Sequence, residues 1–163
     1  YYPNIDVSAH VFGVNSEEWI REIKIFEELV KKITELSNKK SYTVISADHG
    51  LTNVPKENRF HITYNENVNI YGDQRSVYIN GSKKEIIEIF SKVPGQLIDR
   101  SELNHLLPIP ENDFIESLYP DFCFLVEDKN IIYPHHLKTE LAGYHGGLST
   151  EEIKIPIIEI SNF

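Results

Sequence analysis

The sequence predicts an α/β fold built on a mostly parallel sheet, and three observations carry that prediction. An apolar, β-prone opening from Tyr1 to Val7 and a second such segment from Tyr42 to Ala47 flank a run whose apolar residues recur at helical spacing. Strand, helix and strand in that order form a βαβ unit, whose two strands run parallel with the helix across one face. The composition is that of a folded domain. With 163 residues, 40% hydrophobic and 25% charged, the chain is too apolar for disorder and too mixed for a fibre, and one domain is the expected yield.

The elements follow in order. Residues 1 to 7 read as a short strand with Pro3 at its start or edge, and Gly13 marks a turn. Asn15 is the predicted N-cap of the next helix, with Glu18 three residues on. Trp19, Ile23, Phe26, Val30 and Ile33 then define one buried face, and Lys31, Lys32, Lys39 and Lys40 gather near the helix end, where cations suit the dipole. Tyr42 to Ala47 is a strand that runs into Asp48-His49-Gly50. Residues 59 to 71 alternate and are rich in Asn, as an extended excursion would be.

Ser76 to Ile79 is a strand, Asn80-Gly81 a turn, and Ser82 with Glu85 three residues later caps a second helix. Asp99 to Leu107 reads as a short helix ended by Pro108-Ile109-Pro110. Asp121 leads into the apolar strand Phe122 to Val126, and Asp128-Lys129-Asn130 turns it toward Ile131-Ile132-Tyr133. Ile153 to Ile160 is the last strand. No repeat, low-complexity tract or linker divides the chain.

Charge and composition exclude several functions. Sixteen Lys and Arg against 25 Asp and Glu leave a net charge of -9, spread along the chain. A nucleic-acid scaffold partner would need a basic face, so none is expected. The one cysteine, Cys123, rules out an internal disulfide and a cysteine-based zinc site, and it reads as an inert core residue. The longest apolar run, Phe122 to Val126, is far short of the roughly 20 residues that span a bilayer. Nothing in the opening residues resembles a signal peptide, which leaves the compartment open and favours the cytoplasm. The sequence holds no Met and opens inside an apolar segment, so the expectation is a longer native protein.

Three places put metal-binding side chains where strands are predicted to end: Asp6 and His10, then Asp48 and His49 before Gly50, then His145 before Gly146-Gly147. Ligands of open parallel sheets collect at the carboxyl ends of strands, and imidazole and carboxylate are the ordinary ligands of a catalytic zinc. Paired glycines let the backbone approach a charged ligand closely. Taken singly, each site also reads as an ordinary turn or a structural histidine.

Taken together, the strings resemble a family. Asp6-x-x-x-His10 with Gly13 and Ser16-Glu17-Glu18, Ser46-Ala47-Asp48-His49-Gly50, Gly143-Tyr144-His145-Gly146-Gly147-Leu148-Ser149 and Ile155-Pro156-Ile157 resemble the type I phosphodiesterase/nucleotide pyrophosphatase branch of the alkaline phosphatase superfamily. The resemblance spans nearly the whole chain, loosely from 55 to 120. It implies an alkaline-phosphatase-like layered α/β fold, of which residues 1–163 are the carboxy-terminal portion of one domain, with a smaller mixed excursion at about 55–140. It also implies two divalent metal ions, zinc by family pattern, with Asp6, His10 and His145 on one and Asp48 and His49 contributing to the other.

On that pattern the full-length protein is a zinc-dependent hydrolase of phosphodiester or pyrophosphate bonds, acting on a nucleotide or other small phosphate ester. The family's Thr or Ser nucleophile, and a further Asp ligand, would lie upstream of Tyr1, so this chain alone is expected to be inactive. Ser8, Ser46 and Ser149 do not match the nucleophile's position and read as local hydrogen-bonding groups. The family's acidic residue in the first long helix has no counterpart in Ile23-Lys24-Ile25-Phe26. Phosphomonoester hydrolysis or a phosphomutase reaction on the same fold is the second reading, and a non-catalytic metal-binding or regulatory module the third.

The remaining candidates have plainer readings. His135 and His136 follow Pro134 in an extended loop where adjacent side chains point apart, and His61 and His105 lack matching carboxylates. Arg75 is expected to pair with an acidic neighbour, Asp121 to cap structure, and Tyr144 either to line the site or to pack on the last strand. A partial sheet would leave a bare apolar edge, which predicts self-association as a homodimer.

Overall fold

The computed structural model describes residues 1–36, 41–134 and 140–162. Lys39, Lys40, His135 and His136 therefore lie outside the described residues. The elements in chain order are α1 (Asn4–Phe12), α2 (Glu17–Leu36), β1 (Ser41–Ser46), β2 (Thr52–Asn53), a 3-10 turn (Lys56–Asn58), β3 (Arg59–Ile62), β4 (Asn69–Gly72), β5 (Ser76–Asn80), α3 (Lys83–Phe90), β6 (Gly95–Asp99), α4 (Arg100–Leu106), α5 (Asp113–Leu118), β7 (Phe122–Val126), β8 (Ile131–Pro134), β9 (Gly143–Tyr144), α6 (Thr150–Ile153) and β10 (Ile157–Asn162). The chain divides into two compact units. One comprises Tyr1–Asn53, Glu140–His145 and Ser149–Phe163, the other Val54–Thr139 and Gly146–Leu148.

The first unit begins with a helix where the sequence predicts a strand. Pro3 sits at the N-cap with φ -81° and ψ -15°, and its carbonyl accepts from the Val7 N–H at 3.0 Å. Proline is tolerated there because the first N–H groups of a helix have no intrahelical partner. Gly13 ends α1 in a conformation with φ 93°, which a side chain would strain. The N-cap of α2 is Ser16, one residue later than predicted: its Oγ accepts from the Trp19 N–H at 3.1 Å. Asn15 takes the left-handed turn before it, with φ 68°.

The apolar stripe of α2 is present but incompletely covered. Trp19, Ile23, Phe26 and Val30 are half-buried, Ile33 is exposed, and no α2 residue is fully buried. Tyr2 packs on Phe26 with ring centroids 5.2 Å apart. Beside this stripe a groove of about 630 Å³ opens between Phe26, Val30 and Ile33 of α2 and Thr43, Ile45 and Ile158 of the strands.

Strand β1 matches the predicted segment, but the βαβ unit does not form, because its first strand is a helix. β1 pairs antiparallel with β10, Ser41 opposite Asn162 and Ser46 opposite Ile157. Among the described residues only β3 and β8 pair in parallel, and the other pairings are antiparallel. The expectation of a mostly parallel sheet within this chain is corrected accordingly. The last strand is also shorter than predicted, since Thr150–Ile153 form α6, whose Glu152 carboxylate accepts from the Ser149 N–H at 3.3 Å.

The second unit is built around a four-stranded antiparallel sheet in the order β4-β5-β7-β6. Alternation in β5 sends Val77 and Ile79 inward, where they meet Ile86 and Phe90 of α3 and Phe124 of β7. Phe90 and Phe124 stack at 4.6 Å. Burial of such side chains contributes about 1.5–3 kcal/mol each. A second cluster joins Ile98, Leu103 and Cys123, and burial pushes the Cys123 thiol up to about 11, consistent with an inert core cysteine. Asp99 caps α4 with a capping box to Glu102, as the predicted short helix requires. α3 starts after Ser82 as expected, although the Ser82 side chain makes no capping bond.

Two assignments in this unit are settled by their partners. Arg75 is 1% exposed, and its guanidinium donates to the carbonyls of Asn130 at 2.7 Å and Asp128 at 2.8 Å. It holds the turn between β7 and β8. Asp121 accepts from the Gly81 N–H at 3.3 Å and caps structure as expected.

Candidate metal centre

The donors converge in the first unit because a helix, a loop and a short ladder meet there. On α1, Asp6 and His10 stand one turn apart on one face, with His10 Nε2 3.5 Å from Asp6 Oδ1. A helix brings residues i and i+4 together, whereas on a strand four residues span about 13 Å. His145 follows β9 and reaches the same point: one ligand atom each from Asp6, His10 and His145 lie within 4.8 Å of one another. Two ligands of a tetrahedral ion with bonds of about 2.0–2.1 Å would be about 3.3 Å apart. The Asp6–His10 spacing is already close to that value.

Hydrogen bonds fix which nitrogen of His10 faces the cluster. Its Nδ1 is 2.8 Å from the Gly143 carbonyl, and a carbonyl only accepts, so Nδ1 carries a proton and the neutral form of the ring turns the Nε2 lone pair toward the cluster. This is the pattern of a metal-binding histidine held by a backbone carbonyl. Asp6 Oδ1 is shielded from solvent and has no hydrogen-bond partner. A buried carboxylate oxygen without a donor is costly, and an ion beside it would remove the cost. Two imidazoles and a carboxylate are the donor chemistry of a zinc-type ion.

The second pair lies alongside. In the loop after β1, His49 Nδ1 faces the Gly50 carbonyl at 3.2 Å, which favours the Nδ1–H tautomer in the neutral ring, and Nε2 lies 3.7 Å from Asp48 Oδ1. The His49 N–H donates to the same Asp48 oxygen at 3.2 Å. The His49 ring stacks on His145 at 3.8 Å and 21°, while the His10 and His145 rings are 5.1 Å apart. Asp48 is largely exposed, its side chain at 76%. Asp6, Asp48 and His49 all border the apolar groove beside α2.

Backbone packing delivers these side chains. β2 pairs with β9, Thr52 opposite Tyr144 and Asn53 opposite Gly143, which sets the Asp48-His49 loop beside His145. A Cβ at Gly143 would lie 2.5 Å from the Ala9 carbonyl oxygen, and one at Gly50 2.0 Å from that of Glu151. Both positions therefore demand glycine for close approach, Gly50 also donating its N–H to Glu152 at 2.7 Å.

The other candidates fall away from the cluster. Tyr144 is buried and its hydroxyl accepts from the Leu141 N–H at 3.0 Å, so it packs. Ser46 bonds locally to the Ala47 carbonyl at 3.4 Å. Ser8 is buried with no partner for its Oγ, contrary to the local hydrogen bond expected. His61 packs at 5.3 Å on the ring of Tyr133, and His105 is exposed on α4. Sequence reasoning missed Asn53, which clamps the turn after α1 and whose partner lies 39 residues away.

Comparison with known proteins is consistent with this geometry. Residues 1–106 match the family model of type I phosphodiesterase / nucleotide pyrophosphatase. No curated protein matches. Among solved structures, an inactive variant of murine ectonucleotide pyrophosphatase / phosphodiesterase 5 in complex with AMP aligns with a TM-score of 0.68 and 14% identity, over 96% of this chain and 45% of that one. The human counterpart aligns with a TM-score of 0.68 and 13% identity, over 96% and 44%. Phosphonoacetate hydrolase from Sinorhizobium meliloti 1021, in complex with phosphonoacetate, aligns with a TM-score of 0.68 and 15% identity, over 94% and 43%. The chain thus spans less than half the length of these structures, and their likeness supports an α/β, partial alkaline-phosphatase-like fold. No helix among the described residues is long and apolar enough to cross a membrane.

Proposed function

Since the chain belongs to the type I phosphodiesterase / nucleotide pyrophosphatase family, we propose that it carries the carboxy-terminal part of a two-zinc phosphodiesterase or pyrophosphatase domain. Asp6, His10 and His145 hold one ion, and Asp48 and His49 contribute to the second. The observation that supports this most is the meeting of Asp6, His10 and His145 ligand atoms within 4.8 Å, with His10 Nδ1 tied to a carbonyl and Asp6 Oδ1 buried without a donor.

When bound, such ions supply Lewis acidity to phosphoryl oxygens and stabilise the charge of an in-line displacement. The residues of this chain supply the rest of the frame. The Gly143 carbonyl holds the His10 tautomer and ring plane, and the Gly50 carbonyl does the same for His49. Asp48 is largely exposed and so is open to a ligand arriving from solvent. The nucleophile is a Thr or Ser hydroxyl outside residues 1–163, so the isolated chain binds metal without turnover. The substrate is a small phosphate ester, with nucleotides as the leading class. In the isolated chain the apolar face of α2 pairs with a second copy, a homodimer that light scattering would refute by showing a monomer.

Two measurements test the reading. The purified chain titrated with zinc should bind it, and His10→Ala and His145→Ala should abolish high-affinity binding. Unchanged binding in both variants would overturn the site. The full-length protein should hydrolyse bis(nitrophenyl) phosphate faster than nitrophenyl phosphate, and the reverse preference would favour the phosphomonoesterase or phosphomutase reading. Zinc-dependent turnover by the isolated chain would place the nucleophile within these residues.

A further inference from the structure

Asn53 lies outside the donor set, yet its side chain grips the turn that leaves α1 with both of its polar atoms. Oδ1 accepts from the Val14 N–H at 2.7 Å, and Nδ2 donates to the Val14 carbonyl at 2.9 Å. An amide suits this task because it presents an acceptor and a donor side by side. The approach is close: a Cβ at Gly13 would lie 3.0 Å from Asn53 Oδ1, so the clamp depends on that glycine.

The backbone of the same residue belongs to the β2–β9 ladder, opposite Gly143. Gly143 supplies the carbonyl that accepts from His10 Nδ1, and the neighbouring Ala142 N–H donates to the His10 carbonyl at 2.8 Å. The contacts close into a ring that runs from α1 to β9, across the ladder to β2, and through Asn53 back to the turn after α1. Three of the proposed donors hang from it: His10 on α1, His145 just past β9, and His49 just before β2.

We infer that Asn53 is a positioning residue for the metal centre, fixing the end of α1 against β2 and β9 so that Asp6 and His10 meet His145 at ligand spacing. The inference rests on the metal-site reading above. It differs from a merely structural role in what it predicts. A simple turn clamp would change the melting temperature and leave the bound ion as it was. A positioning residue changes the ion's affinity and its coordination geometry, because groups that orient metal ligands carry about 10–100-fold in affinity. Asn53 is exposed, so removing its side chain opens no core cavity and the variants should fold.

The test uses the whole chain, with zinc alone as the probe against a chromophoric chelator, and cobalt absorption as a readout of ligand geometry. Asn53→Ala should weaken zinc binding by about tenfold and alter the visible cobalt bands. Asn53→Asp, which keeps the acceptor for the Val14 N–H and loses the donor, should fall between that variant and the unaltered chain. Wild-type zinc affinity and an unchanged cobalt spectrum in Asn53→Ala would overturn the inference, whatever the change in melting temperature. If Asn53→Ala proves unfolded by far-ultraviolet dichroism, the same result in Asn53→Asp overturns it. Failure of the unaltered chain to bind zinc, or equal binding by His145→Ala, would instead bring down the metal-site reading and this inference with it.

Discussion

Gly143→Ala puts the packing of α1 on β9 to a quantitative test. The new Cβ would stand 2.5 Å from the Ala9 carbonyl oxygen and 3.1 Å from its carbon. Both are helix backbone, and that oxygen is already held by the Gly13 N–H at 2.9 Å, so β9 has to retreat. Overpacking of this kind costs about 1–3 kcal/mol, and loss of the Ala142-to-His10 hydrogen bond adds about 0.5–1.5 kcal/mol. The sum is about 1.5–4.5 kcal/mol. The same retreat draws the Gly143 carbonyl away from His10 Nδ1. If that weakens zinc tenfold, zinc at about 100 times the wild-type Kd stabilises the variant by about 1.4 kcal/mol against about 2.7 kcal/mol for the wild type. Urea denaturation in EDTA and in zinc measures both quantities. An unchanged midpoint in EDTA would refute the packing argument, and an equal zinc increment in the two proteins would refute the link to His10.

Other outcomes follow from the same geometry. Ser16→Ala should destabilise by about 1 kcal/mol through loss of the α2 cap, whereas Asn15→Gly should be neutral because Asn15 already occupies a positive φ; urea midpoints compare the two. Arg75→Met should cost about 1–3 kcal/mol, since the carbonyls of Asp128 and Asn130 lose buried donors, and zinc affinity should be untouched. On the alkaline side, burial raises the Cys123 thiol from 9.0 to about 11 and also raises the Tyr64 and Tyr78 hydroxyls. Between these values the unfolded chain releases protons that the folded chain retains, so stability falls as pH rises from about 9 toward 11. A denaturation midpoint that rose over that range would contradict this, as would rapid alkylation of the native thiol at pH 8.

Much of the candidate site was legible because its donors announce themselves chemically. Asp48-His49-Gly50 and His145 stand at the ends of short extended segments, as read. The error at Tyr1–Val7 has a physical source. Tyr, Ile and Val favour strands, whereas the spacing of Asp6 and His10 suits a helix. Asp6 and His10, four residues apart, can share one ion only if the backbone between them coils. The antiparallel union of β1 with β10 was not legible, because alternation within a strand does not encode the direction of a distant partner. Ser149 and Glu152 did signal α6, as a Ser with Glu three residues on, but the apolar residues after them suggested a strand. The spacing of the α2 stripe predicts one buried face, and it is half-covered because few elements of this unit pack against it. In the second unit, strong local patterns at Ser76–Phe90 and Phe122–Val126 carried their elements directly into a well-filled core.

The discontinuity of the first unit has a consequence for the order of events during synthesis. The second unit is almost entirely the uninterrupted stretch Val54–Thr139, while the first needs three separate pieces. At roughly 5–20 residues per second, the inserted stretch leaves the ribosome before β9, α6 and β10 exist. Asp6, His10, Asp48 and His49 then wait without the Ala142 and Gly143 bonds to His10, and His145 arrives only after the inserted stretch. A nascent chain halted before β9 would hold a compact insertion and an incomplete cluster, so the meeting of Asp6, His10 and His145 waits until the whole inserted stretch has emerged.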